Sequence, residues 1–424
     1  MKKVLVVNKY HFVSGGAERY FLSIMEALKR RGIEPLSFSV NYSKTLPSPY
    51  QRYFIEPVVK GEAAKILYQH PSLWQKISLF MEAIYNARAA KAVTRMIEEQ
   101  RPEVAYFLNF NNHISPSAIS ACVKKGVPVV MRMSDFNLVC SSNMYYRDGH
   151  SCTDCKKGLH NAVIHRCVHG SFTKSLASVL AINFHRMWKI YDRVSAFVCP
   201  SFFMKRELEE LGMPPEKVHQ INTFAAPQEK GSPDLNAPYL LYIGRLASYK
   251  GIDTAIRAFS RLKEKFPNVN FFVLGDDYDG DSERVRAVIR ECGTENVRLL
   301  PFERDKKRVL EWIQHALFMV VPSEFFENLP NTILESFSCG RPVIATRFGC
   351  MPDIVKEGEY GLLYELGDFC DLSEKMGFLI SHDEERERMG AQAYEALRRD
   401  YSEVGHVDHL LDLFEKVVRE NKVP

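Results

Sequence analysis

At 424 residues the chain is too long for one hydrophobic core, so two domains of about 200 residues each are expected. Its 46% hydrophobic and 25% charged residues are ordinary for a globular protein, and no apolar run nears the ~20 residues a membrane-crossing helix needs. Residues 1–200 hold 27 Lys and Arg against 13 Asp and Glu, while the rest holds 29 against 39. A basic first half suits an anionic partner such as lipid headgroups, a pyrophosphate-linked acceptor or an acidic glycan, although a solvated basic surface explains it equally well.

The opening Met1–Asn8 has too few apolar residues for a signal peptide and reads as a buried first strand of a cytoplasmic protein. A strand over Val4–Asn8 is followed by a helix over Ala17–Arg31, with Tyr20, Phe21, Ile24 and Leu28 on one face and Gly32 as its stop. Between them Gly15-Gly16-Ala-Glu-Arg19 forms a glycine loop that lets a ligand approach the backbone. It lacks G-x-G-x-x-G and the Walker pattern, which argues against a dehydrogenase or a P-loop enzyme. A long helical stretch is predicted from about Trp74 to Gln100. Within Lys60–Lys91, Ile66, Leu67, Tyr68, Trp74, Ile77, Leu79 and Phe80 stand among basic residues. Such a segment can lie on a membrane surface or pack an apolar face on its own domain. Strands are then predicted at Val104–Leu108, Pro128–Met133 and Ala196–Pro200, with helices at Pro116–Lys125 and Phe203–Leu211.

Cys140, Cys152, Cys155 and Cys167 are spaced C-x11-C-x2-C-x11-C. Four thiolates closing one loop can hold a structural zinc, with His160, His165 and His169 as alternative ligands; reduced thiols are the other reading.

A loop near residues 222–238 marks the domain boundary, and the βα rhythm restarts at Tyr239–Ile243. Strands at Asn270–Leu274, Val297–Leu299, Phe318–Val321 and Val343–Ala345 follow, each separated by a helix. This alternation predicts two doubly wound α/β domains facing across a cleft. Gly244-Arg245 to Lys250-Gly251 falls just after the first of these strands, where an Arg fork and a Lys charge both suit a diphosphate. Asp276 to Asp281 contains D-x-D and reads as a polar turn rather than a metal site.

The segment Pro322 to Glu335 is the most informative. Glu327 and Glu335 flank a turn and the start of a short helix, with Pro330 suited to the first helical turn and Gly340 with Pro342 to its exit. Free N–H groups at such a start form an anion site, and two carboxylates beside it can grip the hydroxyls of a sugar and a ribose. Thr332 to Glu335 is also a capping-box pattern, in which Glu335 only ties back to the helix entry.

In this order, Gly15–Arg19, Gly244-Arg245 with Lys250-Gly251, Glu327 with Glu335, Cys339–Ala345 and Gly361–Leu363 resemble the retaining GT-B glycosyltransferases of family 4 over nearly the whole chain. The resemblance implies domains at 1–222 and 223–400, with a cysteine-rich insert at about 140–167 and a helix over 401–424 crossing back onto the first domain. It implies that Arg245 and Lys250 hold the donor diphosphate, with Glu335 on the ribose and Glu327 on the sugar. Gly15, Gly16, Asn328, Leu329, Pro330 and Asn331 complete the donor site. A UDP- or GDP-linked sugar would pass to a glycan or lipid-linked acceptor in cell-envelope polysaccharide synthesis, with no catalytic metal and no nucleic acid partner. Many relatives carry His-Asp where this chain has Ser134-Asp135, so the histidine's task falls open, with Asn111, His113, Arg132, Ser134 and Asp135 as candidates on the acceptor side. Rival readings are an epimerase or hydrolase on the same fold, or a non-catalytic nucleotide-sugar or glycan-binding subunit.

Overall fold

A computed structural model describes residues 1–58, 72–111, 113–277 and 280–422. The first sheet contains β1 (Lys3–Val7), β2 (Glu34–Phe38), β3 (Val104–Phe107) and β4 (Val129–Arg132). A small hairpin, β5 (Tyr146–Arg147) with β6 (His150–Ser151), stands apart, and β7 (Ala196–Cys199) and β8 (Val218–Gln220) complete the sheet. The second sheet contains β9 (Tyr239–Arg245), β10 (Asn270–Asp276), β11 (Val297–Leu300), β12 (Met319–Val321), β13 (Val343–Thr346) and β14 (Gly361–Tyr364).

Both sheets are parallel and six-stranded, ordered β2-β1-β3-β4-β7-β8 and β11-β10-β9-β12-β13-β14. Alternate residues of one strand feed opposite cores. In β1, Leu5 and Val7 enter one cluster, and Val4 and Val6 enter the other. In β9, Leu240 and Tyr242 separate in the same way from Tyr239 and Leu241. Burial on both faces is what a parallel sheet requires, and it confirms the two doubly wound α/β domains expected.

The strand order reverses between β1 and β3 and again between β9 and β12. Ligands of such sheets bind beyond the carboxyl ends of the strands at those reversals. The loops after β1 and β3 carry Gly15, Gly16, Asn111 and His113, and those after β9 and β12 carry Lys250 and Glu327.

The helix Glu403–Asn421 packs Val407, Leu410 and Phe414 into the first domain's core. His406 fixes it there. Its Nδ1 donates to the Asn222 carbonyl at 2.5 Å, so its Nε2 accepts from the Tyr20 hydroxyl at 2.8 Å. Arg30–Glu403 and Arg31–Asp408 pairs, both at 2.6 Å, hold the same helix from outside.

Several local expectations change. The long helix predicted over Trp74–Gln100 is two, Leu73–Ile84 and Ala87–Gln100, because Asn86 stops the first and caps the second through the Ala89 N–H at 2.9 Å. A helix over Phe172–Met187 and strands β2, β8 and β14 had no strong sequence signal. Ile66, Leu67 and Tyr68 of the surface segment, and Asp279 of D-x-D, lie outside the described residues. No helix among those residues is long and apolar enough to cross a membrane.

Candidate active site

On the second domain, β9 runs through Arg245, so Gly244 and Arg245 end the strand instead of opening the loop as expected. A short turn over Ser248–Lys250 follows, and Gly251 at φ +68° leads into the helix Ile252–Ser260. A Cβ on Gly251 would strike the Pro322 carbonyl, so glycine lets this turn press against the loop after β12. That contact puts the Lys250 ammonium 2.5 Å from Glu327 Oε1. Ser323 Oγ donates to the same oxygen at 2.9 Å, and the Ser323 carbonyl accepts from Thr346 Oγ1 at 2.7 Å. Lys250 also sits 4.8 Å from the Phe325 ring centroid. Its ammonium is thus committed to Glu327, whereas the exposed Arg245 guanidinium lies 5.7 Å from the Tyr249 ring.

The helix Asn331–Ser338 starts beside this pair. Pro330 precedes it in extended conformation and is not in its first turn, and no side chain caps the start. The capping-box reading of Glu335 therefore fails. Its carboxylate instead faces Arg19 across the cleft at 3.6 Å, and burial raises its pKa. The glycine loop meets this helix start directly, since a Cβ on Gly16 would come 2.5 Å from Asn331 Nδ2. Two helix starts, Gly16–Arg30 and Asn331–Ser338, therefore converge with the positive ends of their dipoles toward one space. Leu329 packs on the second domain's core, and Asn328 Nδ2 donates to the Met133 carbonyl at 2.7 Å, leaving its buried Oδ1 without a partner.

The first-domain rim is assembled differently. Ser134 and Asp135 follow β4, and burial raises Asp135 to about 6. Its Oδ1 accepts the Asn137 N–H at 3.1 Å. Lys9, directly after β1, is pulled down by burial and held up by the charges of Glu18 and Asp135. Glu18 is itself buried and accepts from Ser14 Oγ at 3.0 Å. His113 is lowered to about 3 by burial, with Lys9 adding to the shift, and it is therefore a neutral ring held by the Tyr42 hydroxyl at 3.2 Å. Asn111 Nδ2 is buried without a partner. Arg132 belongs to the seam below this rim: it is buried, donates to Thr223 Oγ1 at 2.7 Å and lies 4.0 Å from the Tyr20 ring. Arg19, Lys9 and Glu18 are the charged groups that sequence reasoning left out of the site. Their signal was position, since Lys9 follows a strand end and the others lie in the first turn of the next helix.

A line of aromatic rings joins the rims. Phe136 stacks on Tyr145 at 4.7 Å, Tyr145 meets Phe326 edge-on at 5.5 Å, and Phe326 stacks on Phe203 at 5.2 Å and leans on Phe348 at 4.3 Å. Tyr146 also meets Tyr249 at 5.4 Å. Asp353 Oδ2 accepts the Phe203 N–H at 2.6 Å nearby. Phe326 precedes Glu327, so the seam and the ion pair share one loop.

The cysteine-rich segment supplies Tyr145 and Tyr146 to that seam. Cys155 lies beside Cys140 and holds the pKa of the Cys140 thiol down, while its own thiol is raised. Burial raises Cys167, and the charge of Cys140 adds to this. The zinc expectation gains no support: among the described residues no three His, Cys, Asp or Glu side chains form a group that could hold a metal ion, including Cys152, His160, His165 and His169.

Residues 15–223 match the glycosyl transferase 4-like domain, and residues 225–396 match glycosyl transferases group 1. The lipopolysaccharide core biosynthesis glycosyltransferase LpsE of Rhizobium meliloti is 26% identical over 231 residues, 53% of this chain and 65% of that protein. A phosphatidyl-myo-inositol mannosyltransferase of Mycobacterium leprae is 28% identical over 245 residues, 56% of this chain and 63% of that one. The chain thus spans somewhat under two thirds of these curated relatives. Among solved structures, Anabaena HepE in complex with UDP-glucose superposes with a TM-score of 0.66 at 17% identity, over 98% of this chain and 100% of that one.

Proposed function

This chain belongs to the group 1 glycosyl transferases on the GT-B fold, and we propose that it moves a sugar from a nucleoside diphosphate sugar to a glycan or lipid-linked acceptor with retention of configuration. The observation that carries this reading is the meeting of Lys250–Glu327 with two uncapped helix starts and Glu335 in one cleft.

In this reading the diphosphate lies between the Gly16 and Asn331 helix starts, with Arg245 and Lys250 beside it and the backbone N–H groups of Asn328, Leu329 and Asn331 around it. Gly15 and Gly16 admit it close to the backbone. Glu335 takes the ribose hydroxyls and Glu327 those of the donor sugar. As the bond from the anomeric carbon to the phosphate oxygen breaks, negative charge grows on the diphosphate. Fixed positive groups aimed at that charge are the largest catalytic term available here. The acceptor hydroxyl oxygen bonds to the anomeric carbon on the face the diphosphate leaves, and its proton passes to the departing phosphate oxygen. The first domain presents that acceptor, and holding it in place supplies the remaining rate gain. The scheme uses no metal.

UDP-linked hexoses are the first donors to test, given HepE, with GDP-linked ones next. LpsE supports cell-envelope glycan synthesis as the setting, on the cytoplasmic side where such donors are available. A nucleotide should stabilise the protein by about 2.7 kcal/mol at 100 times its dissociation constant. A thermal-shift screen of UDP, GDP and their sugars, followed by transfer to lipid-linked and free glycans, tests the proposal. It fails if no nucleotide shifts the melting temperature. Ser134 in place of histidine motivates a second reading, a non-catalytic sugar-nucleotide-binding subunit. Stabilisation by nucleotide with no transfer to any acceptor would select it.

A further inference from the structure

The outer face of the first domain carries two apolar stripes that nothing in the described residues covers. On the helix Leu73–Ile84, Trp74, Ile77 and Met81 recur at helical spacing and stay exposed, Trp74 to 80%. On the helix Phe172–Met187, Phe172, Leu176, Leu180 and Met187 form a second exposed row, Met187 at 65%, continued by Trp188. The helices pack side by side, and the buried His185 ring donates from Nε2 to the Ile84 carbonyl at 2.9 Å, which pins their ends together. Isolated exposed apolar residues are normal, but contiguous patches of this kind mark interaction surfaces.

Charge identifies the occupant. From Cys155 to Tyr191 the chain has no Asp or Glu, yet it has six Lys and Arg. Lys156 pairs with Glu207 and Glu210, and Arg186 donates to the Leu138 carbonyl, while Lys174 and Lys189 stand exposed around the second stripe. Glu82 is the only carboxylate of the helix Leu73–Ile84, and Arg88 neutralises it at 2.6 Å. A second copy packed symmetrically on this face would set cations against cations. An anionic bilayer meets both features at once. Apolar side chains enter the boundary between headgroups and acyl chains, and the cations face acidic headgroups.

We propose that this two-helix face seats the protein on an anionic lipid surface. The Leu73–Ile84 helix passes directly into Asn86, whose Nδ2 donates to the His113 carbonyl at 2.8 Å. The docked face is therefore tied to the first-domain rim of the cleft, which would bring a lipid-linked acceptor to that rim. The docking itself stands independently of the donor and acceptor assignments.

Sedimentation with vesicles tests it, using phosphatidylcholine alone and phosphatidylcholine with phosphatidylglycerol. The protein should pellet with the anionic vesicles and be released as salt rises from about 0.05 M to about 0.5 M, where the screening length shrinks to a few ångströms. Trp74→Ser with Leu180→Ser should weaken binding by about tenfold or more, and Lys174→Glu with Lys189→Glu should abolish the preference for anionic lipid. Both variants should keep the wild-type melting temperature and its shift by UDP or GDP, which separates failure here from failure of the donor site. Absence of pelleting with anionic vesicles overturns the proposal, as does equal pelleting of wild type and both variants. A dimer seen by light scattering and broken by the Trp74 and Leu180 changes, without vesicle binding, also overturns it and assigns the face to self-association.

Discussion

The two rims of the cleft hold their charges in opposite ways. The second-domain rim pairs them: Lys250, Ser323 and Glu327 are joined at 2.5–2.9 Å on loops that a glycine brings into contact. The first-domain rim buries them with few partners, so Lys9, Asp135 and His113 all depart from their ordinary pKa values. A paired, preorganised rim suits a ligand of fixed charge such as a diphosphate. A rim of depressed bases and a raised acid suits proton-sensitive contacts with a neutral hydroxyl.

The sharpest way to break this contrast is Lys250→Ala. It removes a cation from the proposed donor edge and leaves Glu327 a half-buried carboxylate without its ion-pair partner, so transfer should fall by about 10²–10³-fold while the fold persists. Steady-state rates with circular dichroism check it, and full turnover would remove Lys250 from the diphosphate site.

Phe326→Ala tests whether the rims act together. It deletes the ring that meets Tyr145, Phe203 and Phe348, with each such pair contributing about 0.5–1.5 kcal/mol. The turnover number should drop by about tenfold with a smaller change in nucleotide affinity, because the adjacent Glu327 loses its support. Calorimetric nucleotide titration beside the rates separates the two effects.

The smallest effect concerns pH. Folding raises Asp135 from 3.8 to about 6, so between those values the native state holds more protons than the unfolded chain. The stability from this group is complete below pH 3.8 and is lost as pH rises to about 6. Asp135→Asn should therefore raise the melting temperature relative to wild type above pH 6, and the gain should shrink toward pH 4. His113 runs the other way: folding lowers it from 6.5 to about 3, so it costs stability as pH falls through that window. A limb of the transfer rate near pH 6 is expected from Asp135 and should vanish in Asp135→Asn; persistence of that limb would exclude Asp135 as its source.

Alternation of apolar strands with amphipathic helices already specified two doubly wound domains, because burial on both faces of a parallel sheet leaves a periodic trace in the chain. Glu327, Glu335, Lys250 and Gly16 were legible for a similar reason, as short motifs at strand and helix ends. Tertiary structure alone decided which of them meet. Glu335 turned to Arg19 instead of capping its own helix, Lys250 joined Glu327 while Arg245 stayed open, and Arg132 went to the domain seam. Lys9 and Glu18 gained their unusual surroundings only when the loops after β1 and β4 closed over them. The row of exposed side chains on Phe172–Met187 was hidden from periodicity because its opposite face is apolar as well. Local pattern records what a segment must bury, whereas the partner of a charge, and the face left uncovered, depend on residues distant in the chain.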